Sequence, residues 1–202
     1  MAARPDLEAL IRAARRGDRA AAGELWLCLR RLVATILLAH ADRRELDDLM
    51  QEVALRLYRS LRDLDDPARL RPWLCAIARN VAIDHGRRAA ALPPPGAPAP
   101  HRPNGDAPAD EPWFDGAARE RGRDDLEQTL RDLGALEPIY REALLLRALD
   151  GLSQREIAEL LGVPETTVET RLARARRWLR DRRDALDGRN DRRPGDRHHA
   201  PL

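Results

Sequence analysis

The chain has 202 residues, enough for one mid-sized domain or two small ones. Aromatic residues make up only 3% and charged residues 35%, yet the formal net charge is +2, so no global field draws the chain to polyanions and local charge must decide. No apolar run approaches the roughly 20 residues needed to span a bilayer, and the N-terminus lacks a signal-peptide pattern, so a soluble cytoplasmic protein is expected.

Leu and Ala dominate the apolar positions, which predicts an all-α fold of helix packed on helix. Residues 6 to 16 form a first helix, closed by Gly17-Asp18, which also start the next. A long apolar-rich helix runs from about Arg19 to His40. The stretch "ADRRELDDLMQEVALRLYRSL" opens with Asp42 and Glu45 spaced as a capping box. Its Leu46, Leu49, Met50, Val53, Leu57 and Leu61 then recur at helical spacing. After Asp66-Pro67 a further helix is predicted from about Pro72 to Arg88, with Pro72 suited to its first turn.

Residues 89 to 116, "AAALPPPGAPAPHRPNGDAPADEPWFDG", break the pattern. Pro93, Pro94 and Pro95 rule out a continuous helix, and the composition is that of a flexible, partly extended Pro/Ala-rich linker. Trp113 and Phe114 either anchor it to a partner or pack onto the second module. Leu126, Leu130 and Leu133 mark a helix that Gly134 ends, and Glu137 to Leu149 mark another, ended by Asp150-Gly151. After Arg183 the periodicity is lost and a disordered tail is expected. The predicted organisation is a helical module over 1–88, a linker over 89–122, a second helical module over 123–183 and a tail over 184–202. The linker leaves the two modules free to fold separately.

The second module is completed by "LSQREIAELLGVPETTVETRLARARRWLR", residues 152 to 180. Ser153 and Glu156 form a capping box, and Ile157, Leu160 and Leu161 supply a buried face. Gly162 permits a tight turn, Val163 plugs the angle, and Pro164 suits the start of the next helix. Val168 and Leu172 point that helix back at the first, and small Ala158 lets the two approach closely. These are the marks of a helix-turn-helix.

Thr166, Thr167, Thr170, Arg171 and Arg174 project from its second helix, where polar side chains can read base edges. From Arg171 to Arg183 there are seven Arg against one acid, Asp181, a local field suited to phosphate contacts. Glu165 and Glu169 oppose it, unless they accept from a cytosine amino group or orient an Arg.

No catalytic or metal constellation stands out, so no cofactor and no small-molecule substrate are expected. Asp84-His85 hints at acid–base work, but no Ser or Cys nucleophile, acidic metal cluster or phosphate loop accompanies it. Cys28 and Cys75 lack CxxC spacing and read as small hydrophobes in a reducing compartment, a disulfide or metal pair being the alternative. His198-His199 either bind metal or are incidental.

Three stretches in this order carry a resemblance: "DDLMQEVALRLYRSL", then "WLCAIARNVAIDHGRR", then "YREALLLRALDGLSQREIAELLGVPETTVETRLARARRWL" after a proline-rich spacer. Over about residues 6 to 183 the chain resembles the extracytoplasmic-function (ECF) RNA polymerase sigma factors. The resemblance implies a sigma-2 domain followed by a sigma-4 domain, and a non-enzymatic role in transcription initiation. It implies that Asp48, Gln51 and Glu52 dock on the β′ clamp helices of core RNA polymerase, with the β flap as a further contact. It implies that Trp73, Arg79, Asn80, Asp84, Arg87 and Arg88, with the loop before them, engage and melt the −10 element of promoter DNA. Arg155, Thr166, Thr167, Thr170, Arg171, Arg174, Arg176 and Arg177 then fall to the −35 element. An anti-sigma factor is implied as a partner. Asp106, Asp110, Glu111 and Asp115 would suit the basic RNA-exit region of polymerase, or serve solubility alone. The rival reading is a sigma-like mimic that sequesters an anti-sigma factor without initiating transcription.

Overall fold

The computed structural model describes residues 6–64, 66–91, 128–129 and 131–190, with side chains described to residue 185. The proline run, Trp113, Phe114, the four linker acids, Leu126, Leu130 and the tail histidines lie outside the described residues. Among the described residues every regular element is helical.

The first module is built from α1 (Leu7–Arg15), α2 (Arg19–His40), α3 (Leu46–Ser60) and α4 (Leu70–Ala91). Asp6 caps α1 by accepting from the Glu8 and Ala9 amides, both at 3.1 Å. Gly17 then turns the chain with φ +94°, and Asp18 caps α2. Asp42 accepts from the Arg44 amide at 2.9 Å, but it starts a 3-10 turn, Arg43–Glu45, rather than α3 itself. The capping box expected there does not close. Glu45 instead meets His85 Nε2 of α4 at 2.9 Å, a tertiary partner winning over the local one. A second 3-10 turn, Leu61–Asp63, follows α3, and Asp66 caps a third, Pro67–Arg69, that leads into α4 at Leu70, two residues before Pro72. Pro72 is tolerated because amides of a first turn lack intrahelical acceptors anyway.

The second module comprises α5 (131–135), α6 (Pro138–Ala148), α7 (Gln154–Leu161) and α8 (Glu165–Asn190). Gly134 does not stop α5, which runs on to residue 135. Arg141 ties the corner that comes next, donating to the carbonyls of Gly134 and Leu136, each at 2.7 Å.

Two helices outrun their expected ends. α4 continues through Ala91 rather than stopping at Arg88, because three alanines, the best helix formers, precede the prolines. α8 continues to Asn190, past Arg183, its last turns being polar in sequence but free of proline.

The two modules meet at α2. α2 is buried on several sides: Leu25, Leu29, Val33, Ile36 and Leu37 are all under 3% exposed. One side faces α1, α3 and α4, and another receives α6. Ala143 and Leu146 of α6, Ile157 of α7 and Leu172 of α8 therefore join Leu57, Leu74, Ala78 and Val81 in one continuous core. Burying a Leu or Ile side chain is worth about 1.5–3 kcal/mol, so this shared apolar seam, not the linker, sets the arrangement seen.

Candidate nucleic-acid interface

The helix-turn-helix forms as its residues predict. Ser153 accepts from the Glu156 amide at 3.2 Å while the Glu156 carboxylate accepts from the Ser153 amide at 2.7 Å, closing the capping box. Gly162 ends α7 with φ +66°, a left-handed conformation that costs a residue with a Cβ about 1–2 kcal/mol. Val168, Leu172 and Ala175 of α8 are buried to 1% exposure or less. That spacing commits one face of α8 to the core and leaves the other outward.

On the outward side, Thr166, Thr167, Thr170, Arg171 and Arg174 are brought to one face. They line a shallow cavity of 380 Å³ whose other wall is Ile139 and Tyr140 of α6. Arg174 donates to the Tyr140 hydroxyl at 2.9 Å and lies 5.9 Å from its ring centroid, so it is pre-positioned rather than free-swinging. Tyr140 had no role in the sequence reading. Its place at the start of α6, outside the stripe Ala143 and Leu146 bury, was the available signal.

The arginines further along α8 divide. Arg177 faces Asp181 at 3.7 Å, and Arg182 pairs with Asp132 while stacking on Trp178. Among the described residues no carboxylate pairs with Arg171, Arg174 or Arg176. Arg155 projects from α7 and pairs with Glu159 at 3.0 Å on the exposed surface.

In the first module, Asp48 and Gln51 are exposed on α3 while Leu49, Val53 and Leu57 are buried beneath them. Glu52 beside them accepts from Arg56 at 2.8 Å. Exposed Leu55 continues this face, while Tyr58 turns toward α2 and donates to the Ala22 carbonyl at 3.3 Å. On α4, Asn80, Arg87 and Arg88 are exposed, Asp84 is half-buried, and Arg88 Nε donates to the Asp84 carbonyl at 3.2 Å. Half-buried Trp73 walls a second 380 Å³ cavity with Asp63, Leu64, Asp66 and Arg69. An aromatic ring, carboxylates and a guanidinium around a space of that size suit an unstacked base.

Arg79 stands apart from this set. It reaches Glu142 of α6, with Nε at 3.2 Å and Nη2 at 2.8 Å from Oε1. The other Glu142 oxygen lies 3.5 Å from His40 Nε2, at the outer limit of a hydrogen bond. Burial alone would raise the Glu142 carboxyl. The nearby His40 imidazole, the Arg79 hydrogen bonds and the Arg79 charge outweigh it and hold the carboxyl below its ordinary value. A second tie runs nearby: Arg31 of α2 donates to the Leu149 carbonyl and faces Asp150 at 3.4 Å. In this arrangement Arg79, Glu142 and His40 form a module-to-module clamp, and Arg79 is not presented to solvent with Asn80 and Arg87. The signal was present in the sequence: Glu142 sits within the buried stripe of α6, beside Ala143 and Leu146, where a lone carboxylate needs a partner.

The cysteines are unpaired, Cys28 exposed and Cys75 buried. Burial, reinforced by Glu142, pushes the Cys75 thiol up to about 12. Among the described residues no group of three or more His, Cys, Asp or Glu is placed to hold a metal ion. No described helix is long and apolar enough to cross a membrane.

Two helical units, one ending in a helix-turn-helix with a basic outward face, define a DNA-directed regulator of transcription. Two family models match: Sigma-70 region 2 over residues 25–91 and Sigma-70, region 4 over residues 126–179. The ECF RNA polymerase sigma factor SigC of Mycobacterium tuberculosis is 36% identical over 136 residues, covering 67% of this chain and 69% of that protein. The ECF RNA polymerase sigma-E factor of Haemophilus influenzae is 29% identical, covering 87% and 94%. The solved structure of CnrH in complex with the cytosolic domain of CnrY superposes with a TM-score of 0.61 at 28% identity, covering 89% of this chain and 99% of that one. The chain belongs to the extracytoplasmic-function sigma factors, and its function is promoter recognition for transcription initiation.

Proposed function

We propose that the two modules divide that function. The first docks on core RNA polymerase and captures the melted −10 element, and the second reads the −35 element as duplex. The observation that carries this is the geometry of α8. Its core face is complete with Val168, Leu172 and Ala175, so Thr166, Thr170, Arg171 and Arg174 lie outside the core, beside a shallow groove. A helix presented in that way fits the major groove. Arg176 and Arg177, a half-turn on, are suited to flanking phosphates, with Arg155 and Thr167 supporting the same strand.

On α3, Asp48, Gln51 and Glu52 give the β′ clamp helices a polar face that needs no part of the core, and the β flap receives the second module. Melting requires a captured base, for which the Trp73 cavity supplies an aromatic wall and Asn80, Asp84, Arg87 and Arg88 supply polar contacts along α4. Arg79 joins them only when α6 leaves α4, so promoter engagement is coupled to separation of the modules. The protein acts without catalysis of its own, in the cytoplasm where polymerase works. A partner that holds the modules together would act as an anti-sigma factor; the similar CnrH is solved in complex with the cytosolic domain of CnrY.

Run-off transcription with core enzyme, beside permanganate footprinting, tests the division. Arg171→Ala and Arg174→Ala should each lose about 1–3 kcal/mol on promoter duplex and relax specificity at one position. Asn80→Ala should bind the −35 element normally yet open poorly. Triple replacement of Asp48, Gln51 and Glu52 by Ala should weaken capture of core enzyme with helical content intact. Wild-type activity in all of these variants refutes the assignment.

A further inference from the structure

The first module carries a second basic surface that the assignment above leaves unused. A cavity of 570 Å³ opens where the end of α1, the start of α2 and the end of α3 meet. Arg15, Arg19, Arg59 and Arg62 line it, and Asp18 is its single acid. Asp18 is already engaged: its Oδ1 accepts from the Ala20 and Ala21 amides at 2.9 and 3.1 Å, capping α2. Among the described residues none of the four arginines pairs with a carboxylate. Arg15 Nε donates to the Leu61 carbonyl at 3.0 Å, while its Nη2 is buried with no partner. A buried donor left unmet and four like charges around one space are both costs that an anion would relieve. The floor is made of small residues, and a Cβ added at Gly17 or Gly23 would meet nothing within 4 Å, so there is room.

Two further observations say which anion. Tyr58, 40% exposed, forms a wall with its hydroxyl tethered to the Ala22 carbonyl at 3.3 Å, an aromatic face of the kind bases stack on. One 3-10 turn, Leu61–Asp63, separates this cavity from the Trp73 cavity. Arg62 faces the first and Asp63 the second. A strand that placed a base in the Trp73 cavity and crossed this turn would carry its neighbouring phosphates toward the four arginines.

We propose that the four-arginine cavity holds the phosphodiester backbone of the melted strand beside the captured base, with Tyr58 as a stacking face for a neighbouring base. This rests on the reading of the first module as the strand-melting part. Guanidinium forks match phosphate geometry and stay charged at any physiological pH.

The test uses holoenzyme and two probes of one promoter sequence, a full duplex and a fork whose −10 segment is single-stranded. Affinities are measured over a salt series for wild type, Arg19→Ala, Arg59→Ala and the double variant. Neither side chain makes a hydrogen bond within the described fold, and circular dichroism checks that helical content is kept. Each phosphate contact contributes about 0.7 to the salt slope on single strands, so the double variant should lose about 1.4 on the fork and weaken it several-fold, with duplex binding unchanged. An unchanged slope on the fork, or equal loss on both probes, overturns the proposal while leaving the sigma assignment standing. If wild-type holoenzyme binds neither probe better than core enzyme alone, the underlying reading of the first module fails as well.

Discussion

Arg79→Ala and Glu142→Ala cut the same ion pair from opposite ends and should not cost the same. The Glu142 side chain is 3% exposed and the Arg79 side chain 28%. Removing Arg79 strands a carboxylate in the seam between α2 and α6, with His40 at 3.5 Å as its remaining partner. Stranding a buried charge costs about 3–5 kcal/mol, and uptake of a proton by Glu142 moves the loss toward the lower figure. Removing Glu142 instead leaves a guanidinium that can turn to water, so the cost falls to lost hydrogen bonds and packing, about 1–3 kcal/mol. The two variants should therefore differ by about 2 kcal/mol, Arg79→Ala being the less stable. Because α2, α4 and α6 share one core, each loss should show as a shifted midpoint of a single urea transition with little change in slope. Urea titration followed by far-UV circular dichroism measures it. Equal losses, or a loss below about 1 kcal/mol for Arg79→Ala, would mean that water already solvates the pair and that it does not clamp the modules.

The same cluster sets an acid response. Glu142 has a folded value below its ordinary one, so its stabilising contribution is present above the ordinary carboxylate range and is lost as pH falls through the folded value. Wild type should thus lose more stability than Glu142→Gln on acidification below that range, and parallel urea-midpoint curves would refute it. Gly162→Ala should destabilise by about 1–2 kcal/mol through backbone strain alone, since a Cβ there meets open space; a thermal melt showing no change would contradict the left-handed turn. Cys28 should label readily with a thiol reagent, whereas Cys75, pushed up to about 12 and buried, should label only in denaturant. Mass spectrometry distinguishes the two sites, and native labelling of Cys75 would show that α4 opens readily.

Local features were legible before any fold. The α2 limits Arg19 and His40 follow from Asp18 as cap and the end of the apolar run, and the Ser153–Glu156 box and the Gly162 turn depend on neighbours three or four residues away. The outward set on α8 was legible for the same reason: Val168 and Leu172 declare one face buried, which assigns the other to solvent. Where tertiary partners compete, local reading failed. Glu45 satisfies the spacing of a capping box, yet His85, forty residues away, takes its carboxylate. The extra turns of α4 and α8 were hidden because alanine and arginine runs are compatible with helix or coil until something stops them.

By itself the sequence determined the all-helical class, the order of the two sigma regions and the helix-turn-helix, since each is written in spacings shorter than a few turns. Only the tertiary structure decided that α6 lies against α2 and α7 against α4, that Arg79 faces Glu142 rather than solvent, and that Arg15, Arg19, Arg59 and Arg62 converge on one cavity. An apolar stripe states that a helix face is buried but not against what, and an arginine carries the same charge toward a carboxylate as toward a phosphate. Which partner it meets is settled by how the stripes of distant helices pack, and that is a property of the whole chain.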